Sequence, residues 1–271
     1  MKQRILTALI LAPLAIAAVL FLPTGAFMVL AAALLLLGLW EWTRLIGLQG
    51  HARRAVVLLL HAALFAWLAW RGWPGVFPWL AILGVVWWFA AALWLTRMKF
   101  ASEATAVNRT LKLAIGTLLV VPAWCAMGMV HGDGATGPAW ALYALLLVWA
   151  ADSGAWFVGS RLGGRKLAPS ISPGKTWSGF WGGLGTVALV ALIAVPVFGV
   201  SWSVAPALIA ASLLTGLASV VGDLFESIIK RHSGAKDSGY LVPGHGGVLD
   251  RIDSVLAALP VFAVAKDWIG L

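Results

Sequence analysis

The sequence predicts an all-α fold: a polytopic transmembrane helical bundle of about nine spans, with the N-terminus in the cytoplasm. Composition is the first reason, because 62% of the 271 residues are hydrophobic and only 11% are charged. Mean hydropathy is the second, at +0.95. The third is that the uncharged runs are long enough to cross a bilayer, which takes about 20 apolar residues. We therefore expect a single integral membrane domain over residues 1–271.

Six uncharged runs supply the predicted spans. The first and last runs are long enough to hold two helices each. Pro23-Thr24-Gly25 breaks the first run, and the stretch from Gly199 to Pro206 breaks the last. Eight spans result, and a shorter ninth is predicted at Ser254–Leu271. The runs cover residues 5–40, 55–70, 72–96, 113–132, 134–151 and 176–222.

Lysine and arginine are distributed asymmetrically between the predicted loops. In the nine-span arrangement only Arg71 and Lys266 fall on one side, and the remaining 17 of the 19 fall on the other. The positive-inside rule makes the richer side cytoplasmic. The net charge of +9 thus indicates topology and attraction to anionic lipid. A nucleic-acid partner is not expected, because no compact soluble domain is predicted.

The two halves of the chain differ in polarity. Residues 1–110 carry few polar groups in their spans and are predicted to be mainly scaffold, with Glu41 and Arg44 forming a local ion pair. Residues 140–271 are predicted to be the catalytic half, because charged groups enter the spans there. Two cytoplasmic loops of this half hold most motif-like residues, at about 160–177 and 231–253.

Three carboxylates fall within predicted spans: Asp152, Asp223 and Glu226. A charged group in a span is costly unless paired or hydrated, so such residues mark sites by default. Asp152 and Asp223 are predicted at similar depth, about 10 Å below the cytoplasmic boundary. We expect them to share a water-filled cavity open to the cytoplasm, although Asp152 alternatively bonds a neighbouring helix. For Glu226 we expect a pair with Lys230, four residues on.

Two further aspartates are candidates for binding a metal ion. Asp250 and Asp253 are spaced i, i+3 at the entry to the last predicted span. Asp253 also resembles a helix N-cap before Ser254. Carboxylate oxygens suit Mg²⁺, which shares its ligand shell with substrate phosphates. If Asp223 lies beside Asp250 and Asp253, the three carboxylates hold one or two ions. A pair of ions stabilises the attacking and leaving oxygens of an in-line displacement at phosphorus.

The last long loop also carries the groups that would bind phosphate. Its cations would neutralise a di- or triphosphate. Gly246 and Gly247 let the backbone approach a phosphate, and His245 beside them can donate to an oxygen. The cations are Lys230, Arg231, Lys236 and Arg251.

The order of these residues follows a longer pattern: Ser-x-x-Lys-Arg, four residues, Lys-Asp-x-Gly, then Pro-x-His-Gly-Gly-x-x-Asp-Arg-x-Asp. This pattern resembles the signature of the phosphatidate cytidylyltransferase family (CDP-diacylglycerol synthases). The segments 152–159 and 172–177 resemble family segments too, but Gly174 and Ser178 stand where the family more often has Lys and Glu. The thirteen matching residues are Ser227, Lys230, Arg231, Lys236, Asp237, Gly239, Pro243, His245, Gly246, Gly247, Asp250, Arg251 and Asp253.

The resemblance implies an enzyme of phospholipid biosynthesis. It would transfer CMP from CTP to phosphatidate with Mg²⁺, giving CDP-diacylglycerol and pyrophosphate. The resemblance also implies a bacterial cytoplasmic (inner) membrane protein, with its active site facing the cytoplasm, in contact with membrane lipids and assembled as a homodimer. One or two Mg²⁺ ions are expected, and a monovalent cation beside them is left open.

Three sets of residues follow for this reaction. Asp237 has two interpretations, as a ligand or as a partner of Lys236. The metal ligands are expected to be Asp223, Asp250 and Asp253. The catalytic set is Lys230, Arg231, Lys236, Asp237, His245 and Arg251. The substrate-binding set is Asp152, Arg161, Ser172, Lys175, Thr176, Gly246 and Gly247.

Two other classes of function remain as alternatives. A secondary transporter would use Asp152 and Asp223 as ion carriers, but its site would lie near the midplane between internal repeats, and no repeat is evident. A CTP-dependent lipid kinase would transfer the γ-phosphoryl instead. A phosphotransferase using CDP-linked lipids would need an Asp-Gly-x-x-Ala-Arg motif, which is absent from the sequence.

Gly174-Lys175-Thr176 also resembles the end of a phosphate-binding P-loop. That motif needs Gly five residues before Gly174, where this chain has Pro169, and a strand before the loop, which the sequence does not predict. We therefore do not expect a P-loop.

Overall fold

The structure is a computed structural model that describes residues 2–71, 73–242, 244 and 246–271. Over these residues it has nine α-helices, a 3₁₀ turn at Gly134–Thr136 and two short β-strands. The helices are α1 (Lys2–Phe21), α2 (Thr24–Leu45), α3 (His51–Arg71), α4 (Trp73–Trp94), α5 (Ala106–His131), α6 (Gly137–Leu162), α7 (Trp177–Val197), α8 (Ala205–His232) and α9 (Leu249–Trp268). The strands are β1 (Lys166–Ala168) and β2 (Ser172–Thr176).

The predicted all-α membrane fold is confirmed. Among the described helices, α2 to α8 are each long and apolar enough to cross a bilayer. Helix α1 has a shorter apolar stretch, Leu9–Phe21. Helix α9 has 20 residues but carries charges near both ends, so its middle alone is apolar. These nine helices agree with the prediction of about nine spans, and the chain is an integral membrane protein.

The loop predicted at 160–177 contains an unpredicted β-hairpin. Strands β1 and β2 pair antiparallel, with Lys166 opposite Thr176 and Ala168 opposite Ser172. The expectation that no strand lies near Gly174 was therefore wrong. The segment is an extended hairpin arm and not a loop that could wrap a phosphate, and Pro169 still excludes a P-loop.

The start of the last helix also differs from the prediction. Helix α9 begins at Leu249, so Asp250 and Asp253 both lie inside it. Asp253 does not cap the helix; its Oδ1 accepts from the N–H of Ser254 at 2.6 Å. The helix begins earlier because its first N–H groups bond to a carboxylate on α2, which a local sequence pattern cannot reveal.

Glycines allow the helices beside the site to pack closely. Helix α6 packs along α7, and α8 along α9. A Cβ atom at Gly179 of α7 would lie 2.8 Å from the carbonyl oxygen of Ala155, and one at Gly222 of α8 would lie 3.0 Å from Cβ of Ala257. Small residues at such contacts let spanning helices approach each other. This packing fixes where the polar residues of α6, α8 and α9 lie.

The connecting segments 95–105, 163–176 and 233–248 lie at one end of the bundle, which we call the loop face. His232 Nε2 lies 2.7 Å from the carbonyl oxygen of Met98. Arg231 Nε donates to the carbonyl oxygen of Ile171 at 3.2 Å. At the other end, Lys266 of α9 pairs with Asp133. The end of α8 thus joins two of the connecting segments at the loop face.

Candidate active site

A cavity of about 400 Å³ opens between α6, α7, α8 and the hairpin. Asp152 and Asp223 both line it, which confirms that these two carboxylates share a cavity. Lys175 and Thr176 line it from the hairpin side. Aromatic and small residues complete the wall, including Trp156, Phe180, Gly159 and Gly179. The cavity therefore combines charged groups with an apolar wall.

Lys175 connects the hairpin to α8. Its Nζ lies 2.5 Å from Oδ2 of Asp223, and both side chains are about one-quarter exposed. The other oxygen of Asp223 accepts from Ser227 Oγ at 3.3 Å. Asp152 lies near enough to Asp223 to be repelled by it, and near enough to Lys175 and Arg251 to be attracted. Two carboxylates and Lys175 thus face one space, with Arg251 close enough to act on Asp152 electrostatically.

Thr176 has a local structural role in addition to lining the cavity. Its Oγ1 accepts from the N–H of Gly179 at 3.1 Å and so caps α7. Ser178 Oγ lies 3.0 Å from Thr176 Oγ1 and donates to the carbonyl oxygen of Gly163. Ser178, one of the two departures from the family pattern, therefore ties the end of α6 to the start of α7. Gly174 is exposed on the hairpin, with open space around it.

A chain of charged side chains continues from this cavity to α9. Lys230 Nζ lies 2.5 Å from Oε2 of Glu226, as the spacing predicts, and 2.8 Å from Oδ1 of Asp250. Asp253 is buried and interacts electrostatically with both Glu226 and Asp223. Oε1 of Glu226 is buried without a hydrogen-bond partner in the described structure. Negative charge thus exceeds positive charge in this part of the site.

Asp250 organises the loop before α9. Its Oδ2 accepts from the N–H of Gly247 at 2.8 Å and of Ser238 at 2.9 Å. Gly246 has a φ of +84°, the left-handed region that favours glycine, and a Cβ there would lie 2.6 Å from Asp250 Oδ2. The glycines of the motif therefore let the backbone close around this carboxylate.

A second cavity, of about 500 Å³, lies beside the same loop. Arg44 of α2 lines it together with Lys236, Asp237 and Tyr240. The side chains of Lys236 and Asp237 are exposed. A Cβ atom at Gly246 would lie 3.4 Å from Cβ of Asp237 and 2.6 Å from Oδ2 of Asp250. Asp237 and Asp250 therefore both lie close to Gly246.

Some predicted site residues lie away from these groups. Arg161 packs over the ring of Phe157 at 3.5 Å, and it is not among the residues that line either cavity. Ser172 pairs with Ala168 in the hairpin. Arg231 bonds to the turn of the hairpin through its Nε. His245 and Pro243 lie outside the described residues.

Within the part of the chain that the structure describes, no three Asp, Glu, His or Cys side chains are grouped so that they could hold a metal ion. Asp223 and Asp250 do not share one cluster; Asp253, Glu226 and Lys230 lie along the path between them. Each of the two outer aspartates is paired with a lysine, Lys175 or Lys230. The carboxylates are thus brought into one network, with ammonium groups occupying two of their oxygens.

Comparison with known proteins identifies the family of this chain. A model described as the cytidylyltransferase family matches residues 2–267. The chain belongs to the cytidylyltransferase family. It is 40% identical to a phosphatidate cytidylyltransferase of Pseudomonas aeruginosa over 99% of this chain and 98% of that protein. It is 39% identical to one of Haemophilus influenzae over 97% of each chain, and 46% identical to one of Bacillus subtilis over 46% of each.

One part of this cytidylyltransferase site, on α2, was not predicted from the sequence. Glu41 and Arg44 of α2 do not form the predicted local ion pair; Glu41 accepts hydrogen bonds from Ser238, Val248 and Leu249. Arg44 donates to the carbonyl oxygen of Ser238. The only available signal was a carboxylate next to an apolar run, which equally well predicts a partner three residues away. The first half of this cytidylyltransferase is therefore more than scaffold.

Proposed function

We propose that this cytidylyltransferase transfers CMP from CTP to phosphatidate, forming CDP-diacylglycerol and pyrophosphate. The observation that carries the proposal is the charged network between two cavities at the loop face, one of them partly apolar. The names of the full-length bacterial relatives support the choice of phosphatidate as acceptor.

In the proposed reaction, a phosphate oxygen of phosphatidate attacks the α-phosphorus of CTP. The bond from that phosphorus to the bridging oxygen of the β-phosphate breaks, and pyrophosphate leaves with the electron pair. No side-chain nucleophile is required, because the lipid phosphate is already ionised at neutral pH. Catalysis then consists of positioning and charge stabilisation.

We assign the two cavities to the two substrates. The cavity lined by Trp156 and Phe180 has an apolar wall and one lysine, Lys175. The lysine suits the phosphate of a lipid, and the apolar wall suits its glycerol and first acyl carbons. The cavity with Arg44 and Lys236 is polar and suits a nucleoside triphosphate. The carboxylates and Lys230 lie along the network between the two, where the phosphates would meet.

The carboxylates supply the oxygen donors that Mg²⁺ prefers, but the described side chains are not grouped around one point, so a divalent cation would have to draw them together and displace Lys175 and Lys230. Asp253 interacts with both Asp223 and Glu226, and the buried Oε1 of Glu226 has no hydrogen-bond donor in the described structure. Asp223, Asp250 and Asp253 would hold Mg²⁺, with Glu226 as an added ligand. Held by these residues, Mg²⁺ would supply positive charge that offsets the charge of the leaving pyrophosphate. Lys175 and Lys230 would then turn from these carboxylates toward phosphate oxygens.

The remaining residues support phosphate binding and charge balance. Arg251 lies near enough to Asp152 to attract its carboxylate. Arg231, held by Ile171, and Lys236 add positive charge on either side of Lys230. Gly246 and Gly247 let a phosphate approach the backbone beside Asp250. We keep His245 as a donor to the leaving pyrophosphate, and Arg161 and Ser172 as outer contacts to substrate.

We propose that the loop face lies on the cytoplasmic side of a bacterial inner membrane, where CTP is available. The charge asymmetry supports this orientation, because the exposed Arg71 and the buried Lys266 are the two cations assigned to the other end. A cytoplasmic N-terminus follows. A homodimer in contact with membrane lipids, and a monovalent cation beside Mg²⁺, complete the proposal on the strength of the family resemblance.

CTP labelled at different phosphates tests the reaction. The purified protein in detergent is incubated with phosphatidate, Mg²⁺ and CTP carrying the label at the α- or the γ-position. Label from the α-position should enter the lipid, and label from the γ-position should leave as pyrophosphate. Entry of the γ-label into lipid would establish a lipid kinase instead. If no label entered the lipid and no labelled pyrophosphate formed, ion transport would be the better explanation of Asp152 and Asp223.

A further inference from the structure

Glu41 lies at the end of α2, in the half of the chain that the sequence marks as scaffold. Its side chain is buried, with only 3% of the residue exposed. Three donors surround the carboxylate: Ser238 Oγ at 2.9 Å, the N–H of Val248 at 3.1 Å and the N–H of Leu249 at 2.8 Å. All three donors belong to the segment that carries Asp250.

This carboxylate supplies a cap that α9 lacks in its own sequence. The first N–H groups of a helix have no partner within the helix and carry a partial positive charge. The N-cap position of α9 is Val248, whose own side chain makes no capping hydrogen bond. Glu41 accepts from the N–H groups of Val248 and Leu249 and so stabilises the first turn from another helix. Asp250 is the next residue of that turn.

Ser238 links Glu41 to Asp250 by a second route. Its hydroxyl donates to Oε2 of Glu41 and accepts from the N–H of Asp250 at 3.2 Å. Its own N–H donates to Oδ2 of Asp250 at 2.9 Å. Arg44, one turn after Glu41, donates to the carbonyl oxygen of Ser238. Removal of the Glu41 carboxylate would therefore take away one hydrogen-bond acceptor at each end of the loop that carries Asp250.

Two glycines of the motif leave the space that this carboxylate occupies. A Cβ at Gly239 would lie 2.6 Å from Cδ of Glu41, and a Cβ at Gly247 would lie at the same distance from it. Real Cβ contacts are not that short, so any larger residue at either position would displace Glu41. The carboxylate and the glycine backbone are thus complementary in shape.

We propose that Glu41 is a positioning residue of the active site. It holds the first turn of α9 and Ser238 so that Asp250 lies in place for phosphate transfer. The effect on turnover rests on the role proposed above for Asp250, whereas the effect on the loop does not.

The test uses the full-length protein in detergent, with Glu41→Gln, Ser238→Ala and the double variant. Glutamine keeps the shape but turns an amide donor toward groups that are themselves donors. Turnover per folded molecule should fall roughly 10- to 100-fold in Glu41→Gln, the loss typical of misplaced catalytic groups. The Michaelis constant for CTP should change little. The double variant should lose hardly more than Glu41→Gln alone, because contacting residues are not additive.

Hydrogen–deuterium exchange reports the loop directly. In Glu41→Gln, the amides of residues 247–250 should exchange faster, while those in the middle of α8 should not change. Glu103→Gln is the matched control, since Glu103 is exposed at the same end of the bundle and should leave turnover and exchange unaltered.

Wild-type turnover in Glu41→Gln, or fully additive losses in the double variant, would overturn the proposal. If Glu41→Gln cannot be recovered as a folded protein, the turnover of Ser238→Ala tests the proposal. Unchanged turnover in Ser238→Ala would contradict it. If Asp250→Ala stays active, the proposed role of Asp250 fails. Faster exchange in Glu41→Gln would then still establish that Glu41 holds the loop.

Discussion

Two lysines at opposite ends of the bundle, Lys266 buried and Lys230 partly buried, show how differently a membrane protein can use charge. Lys266 of α9, at the end away from the loop face, pairs with Asp133 and donates to the carbonyl oxygen of Leu271. Its Nζ also lies 5.3 Å from the ring centre of Trp140. The side chain of Asp133 is 55% exposed, so water solvates the partner. One cation therefore meets one anion, and the arrangement is complete.

Lys230 at the loop face has more negative charge around it than it can balance. It contacts Glu226 and Asp250, and Asp253 lies beside Glu226. Burial of unbalanced charge costs free energy, so such a group is kept where a ligand or ion completes it. Under the proposed function, the Lys230 network would bind a cation and phosphates, whereas the Lys266 pair would contribute to stability alone.

The largest effect should come from Asp250→Ala. This change removes a proposed metal ligand and the acceptor for the N–H groups of Ser238 and Gly247. Conversion of CTP and phosphatidate by purified protein should fall roughly 10³-fold, at the upper end of losses for a single electrostatic group. Membrane insertion and extraction should be normal. Ordinary turnover in this variant would remove Asp250 from the site.

Replacement of Lys230 by methionine should have the next largest effect. The change keeps much of the side-chain volume but leaves Glu226 and Asp250 without their shared cation. Turnover should fall roughly 10²-fold, because phosphate charge is no longer offset. The comparison between the two lysines would lose its basis if Lys230→Met were as active as the wild type.

Lys266→Met is the matched change at the other end. We expect turnover per folded molecule within about twofold of the wild type. The unfolding temperature in detergent should fall by roughly 5 °C, because the buried Lys266 loses its ion pair with the solvated Asp133 and its cation–π contact with Trp140. Thermal scans and the lipid assay measure the two effects separately. A selective loss of turnover with unchanged thermal stability would show that the two ends are not distinct in function.

Arg71→Ala should be nearly silent. Arg71 is exposed at the end of α3, away from the loop face. We expect turnover and unfolding temperature to match the wild type within error. Complete loss of activity would indicate that the proposed orientation in the membrane is inverted.

Hydropathy and local spacing predicted much of this molecule. Uncharged runs located the spans, because burial in a bilayer demands long apolar segments wherever they occur. The i, i+4 spacing predicted the Glu226–Lys230 pair, which is confirmed. The shared cavity of Asp152 and Asp223 followed from their similar depth, and it is confirmed too.

Contacts between distant segments could not be predicted in the same way. The Lys175–Asp223 pair joins the hairpin to α8, and nothing near either residue indicates the other. Glu41 has an arginine three residues away, yet its partners lie about 200 residues further along the chain. The early start of α9 has the same origin, since its cap comes from α2. Pairing across the bundle depends on packing that local patterns do not contain.

Binding of Mn²⁺, which replaces Mg²⁺ at oxygen-ligand sites, tests the central claim most directly. Electron paramagnetic resonance of the purified protein with CTP would count bound ions. The account predicts one or two bound Mn²⁺ in the wild type, at least about tenfold weaker binding in Asp223→Asn and Asp253→Asn, and unchanged binding in Asp133→Asn. Wild-type binding in the first two variants, or no binding in the wild type, would contradict a cation site among these carboxylates.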